Sequence, residues 1–172
     1  DTDTAYNRVW IRDYETRQTH QAVRMMRINS ENHSSMFLES DELANEYLKY
    51  FHLATVFKPE IHSALMLGGA AYSFPRDYLK TYPQATLDVV EIDPKLTELA
   101  KTYFRLQDDP RLTVIHEDGR VFLNRNSKKY DVFFGDAFSS YYSIPYQLTT
   151  KEAVQKTADA LTDDGVVLLN II

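Results

Sequence analysis

Ala64-Leu65-Met66-Leu67-Gly68-Gly69-Ala70-Ala71-Tyr72 decides how this chain is read. An apolar run meets two glycines and then a helix-compatible segment, the pattern of a buried parallel strand that turns over a nucleotide-like ligand. A second apolar run, Leu87-Asp88-Val89-Val90, ends on Glu91. A ribose-binding carboxylate is expected there, about 20 residues past the glycines. Together the two stretches predict a nucleoside site. A dinucleotide turn carries a third glycine so that pyrophosphate can approach the backbone. Gly68-Gly69-Ala70-Ala71-Tyr72-Ser73 lacks it, so a ligand without phosphates is expected.

Working outward, strand and helix patterns alternate. Strands are expected at 63–67, 86–92, 111–115, 130–134 and 165–172, and helices at 74–82, 94–105, 119–124 and 150–161. Such alternation means parallel pairing with right-handed crossovers. Asp93-Pro94 reads as an N-cap followed by proline at the first helical position. Thr149 with Glu152 fits a capping box, and Asp163-Asp164-Gly165 a turn that releases the last strand. Upstream, Ser40-Asp41-Glu42 looks like a helix start. Leu43, Tyr47, Tyr50, Phe51 and Ala54 then recur at helical spacing, and Tyr47, Tyr50 and Phe51 are assigned to the helix core. Residues 6–28 predict a hairpin with a long loop, followed by polar loop at 30–35. The chain divides into an N-terminal β-hairpin region, 1–38, and a Rossmann-like nucleoside-binding domain, 39–172.

In an open parallel sheet the ligand lies outside the carboxyl ends of the strands. Those ends carry Gly68-Gly69-Ala70-Ala71, Glu91, Glu117-Asp118-Gly119 and Gly135-Asp136, a glycine turn and a rim of acids. Each acid alone is equally explained as a helix cap; for Glu91 that explanation is weaker, because Asp93 already fills the capping position.

The 172 residues suit one domain with a real core, and 44% hydrophobic and 26% charged residues are ordinary for a soluble chain. Lys plus Arg number 19 against 25 Asp plus Glu, for a net charge of −6. That repels a phosphate backbone, so no nucleic-acid partner is expected, and a cationic or neutral ligand is favoured. There is no cysteine, hence no disulfide or thiolate chemistry, and cytoplasm is the default location. His20, His33, His52, His62 and His116 are scattered, and no metal site is expected. His33, within the stretch expected as polar loop, reads as a solvated loop histidine. The chain starts at Asp1 and stops inside an apolar run, which reads as a piece of a larger protein.

The runs Leu67-Gly68-Gly69, Val89-Val90-Glu91-Ile92-Asp93-Pro94, His116-Glu117-Asp118-Gly119-Arg120 and Tyr130-Asp131-Val132-Phe133-Phe134-Gly135-Asp136-Ala137 resemble the successive motifs of the spermidine synthase (polyamine aminopropyltransferase) family. Gly-Gly-x-x-Tyr followed by Phe74-Pro75-Arg76 is similar in particular to the spermidine synthase-like domains fused to membrane segments. The resemblance implies an α/β class I methyltransferase-like Rossmann fold, here truncated after the fifth strand, preceded by a small N-terminal β-hairpin. It implies that Gly68, Gly69, Ala70, Glu91, Asp118 and Gly119 bind S-adenosylmethionine or its decarboxylated form. Glu91 would take the ribose hydroxyls and Asp118 the adenine amino group. Asp136 would be the catalytic carboxylate that orients an amine acceptor and removes its proton, and no metal is needed. The chain departs from the family pattern where acids would grip amines, at Ala71 or its neighbour and at Ser139, and Asn45-Glu46 stands where a Tyr-His pair is expected. Three readings follow: an aminopropyltransferase-like domain, a methyltransferase on the same fold, or a non-catalytic nucleoside-binding domain of a membrane-linked protein. An apolar sheet edge at the end of the chain predicts a homodimer.

Overall fold

Four antiparallel strands precede a parallel sheet in the computed structural model, which describes residues 1–17, 19–29, 31–137 and 146–170. The first sheet runs β1 (Thr2–Asp3), β2 (Arg8–Glu15), β3 (Ala22–Ile28) and β4 (Glu31–Phe37), in that order. The second comprises β5 (Ser63–Leu67), β6 (Thr86–Val90), β7 (Leu112–Ile115), β8 (Tyr130–Gly135) and β9 (Leu161–Leu169). Its order, β7-β6-β5-β8-β9 with every pair parallel, reverses direction between β5 and β8. A crevice opens at such a switch point, so Gly68 and Asp136, which follow the two central strands, stand where a ligand binds.

Helices α3 (Ser73–Thr81), α4 (Pro94–Tyr103), α5 (Gly119–Arg125) and α7 (Lys151–Asp159) connect the strands, with a short α6 (Tyr146–Thr149) before the last of them. Strands buried on both faces read as continuous apolar runs, and Ala64 to Leu67 and Leu87 to Val90 are indeed buried throughout. Phe51, Phe74, Tyr78 and Phe134 interlock on one side of the sheet, Phe74 and Phe134 edge-to-face at 4.8 Å. The first sheet docks through Val9, Met26, Ile28 and Met36 onto Ala71, Leu96, Leu99 and Phe104. Each large side chain so buried contributes roughly 1.5–3 kcal/mol. Thr4 Oγ1 and Asn7 Nδ2 also donate to Asp93 Oδ2, at 2.5 and 3.2 Å, tying the first sheet to the residue that caps α4.

Several local expectations need correction. The hairpin of β2 and β3 forms, but it sits inside a four-stranded sheet, and the polar stretch expected as loop at 30–35 is largely β4. Its polarity misleads because β4 is an edge strand: Ser34 and Met36 turn inward while their neighbours stay accessible. The helix expected from Ser40 begins at Glu46, because Ser40 Oγ accepts from Glu42 N–H in a local turn and Asn45 is the N-cap. It is also broken into α1 (Glu46–Lys49), a 3₁₀ turn at Tyr50–Leu53 and α2 (Ala54–Phe57). Thr150, not Thr149, caps α7 by accepting from Ala153 N–H. β9 starts at Leu161, and its ladder jumps from Tyr130↔Leu161 to Val132↔Val166, so the Asp163-Asp164-Gly165 turn is an irregularity within the strand. The last two residues expected in it lie outside the described residues. No described helix is long and apolar enough to cross a membrane.

Candidate active site

The turn after β5 is held in a conformation that its sequence only partly favours. Gly68 has φ +90°, and a Cβ there would lie 2.7 Å from the carbonyl oxygen of Asp136, so only glycine fits. Ala70 and Tyr72 are also left-handed, at φ 45° and 56°, a conformation that disfavours a residue with a Cβ by roughly 1–2 kcal/mol. Glu91 compensates for the strain. Its Oε2 accepts from the N–H groups of Gly69 and Ala70, at 2.9 and 3.1 Å, and its Oε1 from that of Asp93 at 2.9 Å. A buried carboxylate thus ties the turn after β5 to the turn after β6. Tyr72 lies fully buried beneath Gly69, with its hydroxyl 2.8 Å from Thr97 Oγ1, itself 3.0 Å from His116 Nε2.

Asp118 is the N-cap of α5: Oδ1 accepts from Arg120 and Val121 N–H at 2.8 and 3.0 Å, and Oδ2 has no hydrogen-bond partner among the described residues. Capping and ligand binding are therefore compatible at this residue. Glu117 pairs with Arg125 at 2.8 Å.

Asp136 follows β8, with its N–H bonded to Leu67 O at 2.9 Å. Its Oδ1 accepts from Asn170 Nδ2 at 2.9 Å and its Oδ2 from Tyr47 Oη at 3.1 Å. Burial pushes this carboxyl up to about 6 despite both donors, which favour the ionised form. Burial, with Asp136 beside it, raises the Tyr47 hydroxyl well above the ordinary phenol range, so it remains a donor. Tyr47 packs against the core beside Phe51, as expected, while its hydroxyl reaches Asp136. Tyr50, also expected in the helix core, is 65% exposed, and Phe51 is buried. Asn170 follows β9 as Glu91 follows β6 and Asp136 follows β8, so its place at a strand end is the signal in the sequence that marks it.

A cavity of about 210 Å³ brings together Gly68, Ala70, Glu91, Asp118, Gly119 and Asp136. Gly69 is not in its lining; it contributes its N–H to Glu91. Glu117 completes a set of four carboxylates, and no Lys or Arg is among the described lining residues. Asn7, Ile28 and His33 enter from the first sheet, and His33 stands on β4, not in a loop. Apolar walls with several carboxylates suit a cationic nucleoside better than a phosphate. Among the described residues, no three His, Asp or Glu side chains are grouped as a metal site.

A family model described as "Spermine/spermidine synthase domain" matches residues 44–170. The chain belongs to this family. A polyamine aminopropyltransferase of Vibrio vulnificus is 32% identical over 127 residues, covering 72% of this chain and 42% of that protein. The first three curated relatives are matched over only 30% to 54% of their own length. Among solved structures, a probable spermidine synthase from Corynebacterium glutamicum superposes with a TM-score of 0.84 at 22% identity, over 98% of this chain and 62% of that one. Human methyltransferase-like protein 13 gives 0.63 at 22% identity, over 72% and 64%. The spermine/spermidine synthase domain therefore has the expected methyltransferase-like Rossmann fold. Of the two positions at which an amine-gripping acid was sought, Ala70 faces the cavity, and Ala71 is fully buried in the cluster that joins the two sheets. Ser139 and most of the aromatic run 138–146 lie outside the described residues, and Tyr146 is 80% exposed.

Proposed function

We propose that this spermine/spermidine synthase domain binds decarboxylated S-adenosylmethionine, or S-adenosylmethionine itself, and transfers an alkyl group from sulfur to an amine. The observation that carries the reading is the lining of four carboxylates, with no Lys or Arg among the described lining residues and Asp136 pushed up to about 6. A sulfonium is drawn to such a wall. In the transfer, the amine lone pair forms a bond to the carbon beside sulfur. The C–S bond breaks with its electrons going to sulfur, leaving a neutral thioether, and the surplus ammonium proton passes to the carboxylate.

A carboxyl whose pKa lies near the working pH suits that proton transfer, because it is ionised when the amine arrives and basic enough to accept. Tyr47 and Asn170 would orient Asp136. The Oδ2 of Asp118, without a hydrogen-bond partner among the described residues, would accept from an adenine amino group, and Glu91 would accept from ribose hydroxyls while holding the turn. Gly68, Gly69, Ala70 and Gly119 would form the floor. The acceptor is a small-molecule amine.

Incubation with decarboxylated S-adenosylmethionine and a panel of di- and polyamines should release methylthioadenosine; release with no amine of the panel would sink aminopropyl transfer. Ala70 presents only a methyl where an amine-gripping acid was sought, which favours methyl transfer as the second reading. A gain of one methyl mass on an acceptor supplied with S-adenosylmethionine would select it. Val167 and Leu169 on edge strand β9 are 40% and 49% exposed, and they support a homodimer. A monodisperse monomer by light scattering at tens of micromolar would contradict that.

A further inference from the structure

A second cavity, of about 440 Å³, opens where the stretch after β4 meets α3 and the end of α4. It shares no described lining residue with the candidate active site. Arg76 and Lys80 stand four residues apart on α3, on one helix face, where like charges repel. Arg105 comes in from the end of α4. Both guanidiniums reach the same carboxylate oxygen: Asp41 Oδ1 is 3.2 Å from Arg76 Nη2 and 3.4 Å from Arg105 Nη1. Charge-assisted bonds usually measure about 2.7–2.9 Å. One acid thus serves two cations and holds neither closely. The other lining acids are engaged elsewhere: Asp77 with His52, Asp108 with Lys101 and Asp109 with Arg111. Lys80 has no hydrogen-bond or ion-pair partner among the described residues. Burial lowers the Arg76 guanidinium below its ordinary value, with Asp41 opposing and Arg105 adding to the shift. Arg105 is also strained. It is the first residue past the C-cap of α4, at φ 58°, a left-handed position that usually falls to glycine.

We propose that this second cavity binds a small phosphate-bearing anion, held by Arg76, Lys80 and Arg105. Guanidinium forks match pairs of phosphate oxygens, and the lysine adds a point charge. An anion among the three relieves both like-charge contacts, which Asp41 alone does not. The net charge of −6 opposes such a ligand only at long range, because physiological salt screens exposed charges beyond roughly 8 Å. The site stands apart from the adenosyl reading and does not depend on it.

Calorimetric titration with inorganic phosphate, inorganic pyrophosphate and glycerol phosphate compares the wild type with Lys80→Gln and Arg105→Gly. None of the three probes carries a nucleoside, so none reports on the adenosyl cavity. The wild type is expected to bind at least one, and the tightest of them tells a free phosphate from a phosphate ester. Each variant is expected to bind that probe about tenfold more weakly. Lys80 has no partner to lose and glycine suits the left-handed position, so both variants should fold; if Arg105→Gly does not, Lys80→Gln decides alone. Saturating methylthioadenosine should leave the affinity for the probe unchanged. A wild type that binds none of the three, a folded Lys80→Gln that binds like the wild type, or displacement of the probe by methylthioadenosine overturns the proposal. A wild type that binds the probe but no methylthioadenosine counts against the adenosyl reading and leaves this site standing.

Discussion

At one end of the cavity, Glu91 and Asp118 accept five hydrogen bonds, all from backbone N–H groups. At the other end, Asp136 takes both of its side-chain bonds from side chains, Tyr47 on α1 and Asn170 after β9. The first arrangement is rigid and makes the carboxylates part of the fold. The second is adjustable: two neutral donors offset only part of the burial, and the carboxyl is pushed up to about 6. One end is built to hold shape and the other to hold a proton.

The largest expected effect tests the second half of that contrast. Asp136→Asn should lower the transfer rate by about 10²–10⁴-fold, the usual range for loss of a general base. Asparagine can still accept from Asn170 and donate to Tyr47, so the fold should survive. Because the folded pKa of Asp136 is raised from 3.8 to about 6, its contribution to stability is fully present below about pH 3.8 and is lost as pH rises through about 6. Relative to the wild type, Asp136→Asn should therefore gain about 1–3 kcal/mol between pH 4 and pH 7. Urea unfolding at several pH values measures it, and a flat difference would contradict the assignment.

Glu91→Gln tests the rigid end. It turns an amide NH₂ toward backbone N–H donors, and the expected loss is about 2–4 kcal/mol of stability together with weaker nucleoside binding. Unfolding free energy unchanged from the wild type would mean that the turn after β5 holds itself. Tyr47→Phe should act more gently on the adjustable end. Removing a donor that favours the ionised carboxylate moves Asp136 further above 6, so the acidic limb of the pH–rate profile should shift to higher pH, and the rate at pH 7 should fall about three- to tenfold. An unmoved limb would detach Tyr47 from catalysis. Smallest, Ala70→Gly should stabilise by about 0.5–1 kcal/mol by relieving a left-handed alanine, read as a rise in thermal midpoint.

The same contrast divides what was legible in the chain. Glu91 and Asp118 could be read because a strand end, a cap and a glycine turn are patterns of neighbouring residues. Pro94 after Asp93 fixed the start of α4 for the same reason, and the cap forms as expected. Tyr47 could not be read: its spacing with Phe51 suits a helix core, and which helical residue meets Asp136 depends on how α1 lies across the sheet. β4 was missed because an edge strand tolerates polar residues on its open side.

The sequence by itself determined the alternation of strands and helices, the glycine turn and the acids that follow β6, β7 and β8, since apolar periodicity, caps and turn residues act over a few positions. Only the tertiary structure decided that Tyr47 and Asn170 converge on Asp136 and that Ala71 is buried away from the cavity. It alone brought a bulge on β4 to carry His33 to the wall. These depend on crossovers and on the docking of one sheet against the other, which join residues far apart in the chain and leave no periodic mark on it.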